Sequence, residues 1–211
     1  MGQKVVTGLV RFSYANVWKP KEDKNGNLKY SVALMFPKKN KNALKAIIQA
    51  VNDAVEEGVD DGTFQSKKPG TFNKKNSKLP KFSWCLRDGD EKEDENPEYE
   101  GMMFLNASSK EAPLIGDADR NEIVDEEDFY SGCWGRAAIV LFPFNTDGNI
   151  GIGAYLQSVQ KLRDGEKLAG RDSLESAFAD DIDDDEFNII DEYGGEGEET
   201  HDDEEDADDI L

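Results

Sequence analysis

Residues 135–161 read GRAAIVLFPFNTDGNIGIGAYLQSVQK, and this stretch decides the fold class. Two apolar runs, 135–144 and 150–161, flank the turn Asn145-Thr146-Asp147-Gly148, which makes them the clearest β-hairpin in the sequence. Working outward, residues 102–108 read as another strand and 82–87 as a short one. Residues 30–36 alternate, with Tyr30, Val32, Leu34 and Phe36 on one face and Ser31, Ala33 and Met35 on the other, as a half-buried strand does. Residues 5–18 read as one long strand bent at Gly8, followed by a polar loop with the turn signal Asn25-Gly26-Asn27.

A single helix interrupts the strands. Over 40–57, Leu44, Ile47, Ile48, Val51 and Val55 recur at helical spacing, Asn42 is placed to cap the start and Gly58 to stop the end. Residues 62–81 read as a basic loop carrying Lys67, Lys68, Lys74, Lys75, Lys78 and Lys81; 88–101 reads as an acidic excursion and 112–130 as irregular. Five to six strands, one helix and long loops predict a small barrel, closed or partly open.

Charge divides the chain in two. The net charge of the 211 residues is −21, yet residues 1–171 hold 25 Lys and Arg against 26 Asp and Glu. Residues 172–211 hold 20 acids and no Lys or Arg. Such a segment cannot bury enough apolar area to offset its ordering entropy and self-repulsion, so it reads as a disordered acidic tail after a folded domain spanning 1–171. Within that domain, residues 1–81 net +9 and residues 82–171 net −10, and the basic half suits a phosphate backbone.

Catalysis finds little to work with. The one histidine, His201, lies in the acidic tail, which removes Ser-His-Asp, Cys-His and His-ligated metal centres from the domain. There is no Walker A or G-x-G-x-x-G sequence. Asp181, Asp183, Asp185 and Glu192 imitate EF-hand spacing, but Glu186 stands where the turn requires glycine. No apolar run approaches a membrane span, and no secretory leader follows Met1. Cys85 and Cys133, far apart in sequence, fit free thiols in a reducing cell interior.

Binding finds more. Sequence-neutral recognition of a single strand needs cations for the backbone and π-faces on which bases stack. Aromatic and basic residues interleave in this chain: Arg11, Tyr14, Trp18, Lys19 and Lys21; Lys38 and Lys39; Lys81, Trp84 and Arg87; Trp134 and Arg136. These twelve form the expected DNA-binding set, with the three tryptophans on the DNA face and Phe12, Phe36, Phe104 and Phe142 in the core. The tail ends Asp208-Asp209-Ile210-Leu211, two apolar side chains and a carboxylate behind an acidic run. That is the form of a short linear ligand for a partner with a small apolar pocket and a basic rim.

Six segments, in order, resemble one known family. They are Tyr14-Ala15-Asn16, then Tyr30-Ser31-Val32 leading to Phe36-Pro37-Lys38, Leu86-Arg87-Asp88-Gly89-Asp90, and Phe104-Leu105-Asn106-Ala107. Tyr130-Ser131-Gly132 and the closing Gly151-Ile152 with Leu156-Gln157-Ser158-Val159-Gln160 complete the set. The chain is similar, from about Lys4 to Gly170, to the tailed-phage single-stranded-DNA-binding proteins. The resemblance implies a mainly β, OB-like barrel that binds single-stranded DNA with little sequence preference during phage replication and recombination. It also implies a tail that modulates DNA binding and recruits replication or recombination proteins. No enzymatic activity, cofactor, metal or membrane is expected, a weak homo-oligomer is allowed, and the setting is the cytoplasm of the infected bacterium. The competing readings are an acidic DNA-mimic inhibitor, whose acids would lie on the folded domain rather than beyond it, and a metal-dependent nuclease.

Overall fold

In a computed structural model, which describes residues 2–23, 26–64, 69–73, 82–92, 96–146 and 148–168, the expected long strand over 5–18 is two strands. They are β1 (Gln3–Val6) and β2 (Val10–Glu22). The break falls where Gly8 meets the helix: a Cβ there would stand 2.8 Å from that of Ala43. β3 (Leu28–Pro37) returns antiparallel to β2. The helix α1 (Lys41–Asp60) then buries a stripe of Ala43, Ile47, Ala50, Val51, Ala54, Val55 and Gly58.

Both expected helix ends shift. The cap is Asn40, whose side chain accepts the Ala43 N–H at 3.2 Å, not Asn42, which lies exposed in the first turn. Gly58 does not stop the helix but lies inside it, because a Cβ there would fall 2.4 Å from the Phe64 ring. Packing overrides the local terminator signal.

Beyond the helix, the expected short strand is two, β4 (Phe82–Ser83) and β5 (Leu86–Asp88), followed by β6 (Met102–Ser109). β7 (Leu114–Gly116) adds a strand inside a stretch read as irregular. The hairpin β8 (Trp134–Thr146) and β9 (Asn149–Arg163) pairs through Thr146 and Asn149, with Gly148 at φ 82°.

The sheet runs β8-β2-β3-β6-β9, and β9 pairs back onto β8. Five long strands therefore make the barrel, and β1, β4, β5 and β7 are short additions at its margins. The β6–β9 seam is parallel and rests on one ladder pair, Ser108 with Tyr155, so the barrel is not strictly closed. This is the mainly β, OB-like architecture with one helix that the sequence predicts.

Inside lie Phe12, Val32, Leu34, Phe36, Leu105, Ala107, Ile139, Leu141 and Leu156. Phe12 packs on Phe129, ring centroids 4.9 Å apart. Phe142, expected in the core, is 37 % exposed, because it takes the outward position between Leu141 and Pro143 on β8. Both cysteines are free thiols. Residues 74–81 with Lys81, the lysines Lys67 and Lys68, and the acidic tail with its tip all lie outside the described residues.

Candidate nucleic-acid interface

Because side chains alternate across a strand, the odd residues of β3 point away from the barrel core. Ala33 and Met35 are nevertheless buried, on the outer face, in a second cluster with Tyr99 and Phe104. β3 is thus covered on both faces, not half-buried as its alternation suggests. The cover comes from the β5–β6 connection, whose 3₁₀ turn Pro97–Tyr99 lays the Tyr99 ring edge-on against Phe104 at 4.9 Å. Burial raises the Tyr99 phenol's pKa against a hydrogen bond with Ser13.

The register aligns one row of side chains across five strands. Trp134 of β8 pairs with Arg11 of β2, Arg11 with Met35 of β3, Met35 with Phe104 of β6, and Phe104 with Arg87 of β5. The Arg87 guanidinium carbon lies 4.5 Å from the Phe104 ring centroid, a cation–π contact that keeps the charge outward. The next row is Ser13, Ala33 and Asn106.

Tyr14 stands at the edge of this second row. It follows Ser13 at a register shift in β2, adopts φ 46°, is 58 % exposed and donates its hydroxyl to Asn96 Oδ1. With Ser31, Val32, Ala33, Tyr99, Phe104 and Asn106 it lines a cavity of about 210 Å³.

A short C-terminal strap, residues 164–168, borders the same face. Leu168 packs against the outer cluster, and its N–H donates to the Ser131 carbonyl at 2.8 Å. Arg11 donates to the carbonyls of Gly132 at 3.3 Å and Glu166 at 3.0 Å. The approach is close enough to require glycine: at Gly132, with φ 117°, a Cβ would lie 2.0 Å from the Glu166 carbonyl oxygen. Asp164 anchors the strap's start, bonded by Lys161 at 2.7 Å and by the Tyr130 hydroxyl at 2.8 Å. Those two hydrogen bonds, Lys161 first, hold the Asp164 carboxyl below its ordinary value.

The twelve expected binding residues divide on this frame. Arg11, Tyr14, Arg87 and Trp134 come together on the outer face. Trp18, Lys19 and Lys21 continue along the far half of β2, where the Trp18 indole donates to the Phe129 carbonyl at 3.0 Å and Lys19 pairs with Glu126 at 3.0 Å. Lys38 is held between Asp88 and Asp90; burial works against its charge, but the two carboxylates outweigh it and raise its pKa. Lys39 is exposed beside it, and Arg136 donates to Gln160 at 2.6 Å. Lys81 lies outside the described residues.

Trp84 requires a correction. It is 7 % exposed and caged by Phe72 and Phe82 at 5.1 and 4.5 Å, so its ring faces are covered by the core and cannot stack on a base. Of the neighbouring cations that suggested a surface role, Arg87 is exposed on β5, on the opposite alternation from Trp84. Conversely, Met35, Tyr99, Phe104 and Asn106 build the face without having been singled out for it. Phe104 is buried as expected, but in the outer cluster. The alternation of Phe104 and Asn106 with Leu105 and Ala107 carries that signal.

An OB barrel whose outer sheet face bears a row of aromatic and cationic side chains has the architecture and residue types that single-strand recognition uses. The chain belongs to the family of the ssDNA-binding protein of Enterobacter phage Enc34, whose model matches residues 3–188, in agreement with the resemblance read from the six segments. Protein p50 of Acyrthosiphon pisum secondary endosymbiont phage 1 is 27 % identical over 169 residues, covering 79 % of this chain and 87 % of that one. The single-stranded DNA-binding protein of bacteriophage Enc34, solved in complex with ssDNA, is similar with TM-score 0.60 and 27 % identity over 79 % of this chain and 90 % of that one. The fold extends to gp2.5 of bacteriophage T7, with TM-score 0.53 and 15 % identity over 87 % and 97 % of the two chains.

Proposed function

We propose that this chain binds single-stranded DNA, with little sequence preference, across the outer face of β2, β3, β5 and β6. The observation that carries the reading is the ladder row Trp134, Arg11, Met35, Phe104 and Arg87 in a member of a family whose Enc34 protein was solved with ssDNA. Arg11 and Arg87 supply cations beside the aromatic cluster, and the exposed Lys21 and Lys39 extend the positive potential toward either end. Base stacking on an exposed ring such as Tyr14 is sequence-tolerant because every base has a π-face.

The role is binding rather than catalysis, serving replication and recombination of phage DNA in the cytoplasm of the infected cell. The acidic residues 172–211 compete with DNA for the same face. Asp208, Asp209, Ile210 and Leu211 recruit replication or recombination proteins, and self-association is weak.

The test is a salt-titrated binding assay with full-length protein on single-stranded and duplex oligonucleotides. Affinity for the single strand is expected to exceed that for duplex and to fall with log salt at a slope of about 0.7 per neutralised phosphate. Arg87→Ala is expected to weaken binding roughly tenfold, the size of a lost stacking-scale contact. Absence of single-strand binding at low salt would overturn the reading and favour the DNA-mimic alternative.

A further inference from the structure

The cavity beside Tyr14 has a chemistry more specific than the open face around it. Its seven lining residues, Tyr14, Ser31, Val32, Ala33, Tyr99, Phe104 and Asn106, include no charged side chain. A phosphate or a metal ion would find no countercharge there. The walls are aromatic, the floor at Ala33 is a single methyl, and one edge is polar. At about 210 Å³ the space is far larger than the ~10–15 Å³ needed to house a water molecule. A flat, neutral ring with hydrogen-bonding edges is the shape and polarity that fits.

Two further observations point to a ligand of this kind. Asn106 is exposed at the polar edge, and its side-chain amide makes no hydrogen bond within the described residues, leaving an adjacent donor and acceptor free. Tyr14 reaches the cavity mouth through left-handed backbone, φ 46°, which a non-glycine residue adopts only where the surroundings impose it. The register shift after Ser13 re-aims its ring, and Asn96 holds its hydroxyl.

We propose that this cavity takes one nucleobase of each bound stretch of single-stranded DNA, its plane against the exposed Tyr14 ring and its hydrogen-bonding edge on the Asn106 amide. The inference rests on the reading of this face as the DNA-binding face. A side-chain amide presents donor and acceptor in either order by rotating half a turn, so it pairs with the donor–acceptor edge of any of the four bases. The pocket thus produces dependence on position along the strand without dependence on sequence. Arg87, stacked on the outer side of Phe104, stands where the flanking phosphate would pass.

The experiment uses the full-length chain and the shortest oligonucleotide that saturates one molecule, so that sliding cannot hide a defect. A single abasic site is moved along it position by position. Wild-type protein is expected to lose about tenfold in affinity at one position and little at its neighbours, the scale of one lost stacked base. Asn106→Ala, an exposed substitution, is expected to weaken binding to the intact oligonucleotide and to abolish the extra penalty of the abasic site at that position. The two losses then share one interaction, as a double-mutant cycle detects. Uniform abasic penalties, or an unchanged local penalty in Asn106→Ala, would overturn the pocket while leaving the DNA-binding face intact. Failure of wild-type protein to bind the intact single strand would overturn both.

Discussion

Two aromatic residues with similar sequence surroundings, Trp84 and Phe104, end in different layers of the molecule. Trp84 completes a cage with Phe72 and Phe82, whereas Phe104 closes the outer cluster under the Arg87 guanidinium. Trp84→Ala is therefore expected to act on stability. Truncating a buried aromatic side chain typically costs about 3–5 kcal/mol, measurable as a lowered denaturant midpoint, while the fraction still folded binds single-stranded DNA like the parent. A large loss of DNA affinity with an unchanged midpoint would contradict the burial assignment. The difference between the two residues was only half legible from the sequence. Alternation along 104–107 separates two faces of a strand, but it does not say that the second face is roofed by a distant turn. Trp84 shares a period-two alternation with Phe82 and Leu86, all three buried, but alternation does not say which face is the core, and charged residues within three positions are a poor guide to where a ring points.

At the scale of elements, periodicity was the dependable signal. The β8–β9 hairpin, β3, β6 and α1 all appear where apolar spacing puts them, while the ends of α1 and the break at Gly8 were set by tertiary contacts. The strap 164–168 had no sequence signal, since it is held by carbonyls and by two glycines rather than by an apolar stripe. Its anchor is testable by pH. The Asp164 carboxyl is lowered from an ordinary 3.8 by the hydrogen bonds of Lys161 and Tyr130. A lowered folded-state value means that the anchor's contribution is fully present above 3.8 and is lost as pH falls through the folded value. NMR titration is expected to give Asp164 a midpoint below 3.8 in the parent. In Lys161→Met with Tyr130→Phe, the midpoint is expected to return to the ordinary value and amide exchange at Leu168 to accelerate. A parent midpoint at or above 3.8 would remove the anchor from the account.

For the whole molecule, the charge division between residues 1–171 and 172–211 sets a prediction for the proposed role of the tail. A polyanion tethered to a chain with a basic first half competes with DNA at high local concentration. Removing residues 172–211 is expected to tighten single-strand binding, most at low salt where screening is weak. Removing only Ile210 and Leu211 is expected to leave DNA affinity unchanged while eliminating replication or recombination proteins from pull-downs of infected cells. Identical partner sets from both proteins would dispose of the tip as a ligand. The barrel's connectivity bears on a different matter, the order of events during synthesis. β1 aligns Gln3 with Leu141 and Val6 with Ala138, and β2 meets β8 at Gly135 and Trp134. β1 and β2 thus wait for β8, and closure at β6–β9 waits for Tyr155. A nascent chain halted before Trp134 has a helix and one antiparallel meander but no barrel, so protease resistance should arrive in a single late step. The loop closures involved place folding among the slow, millisecond-to-second topologies.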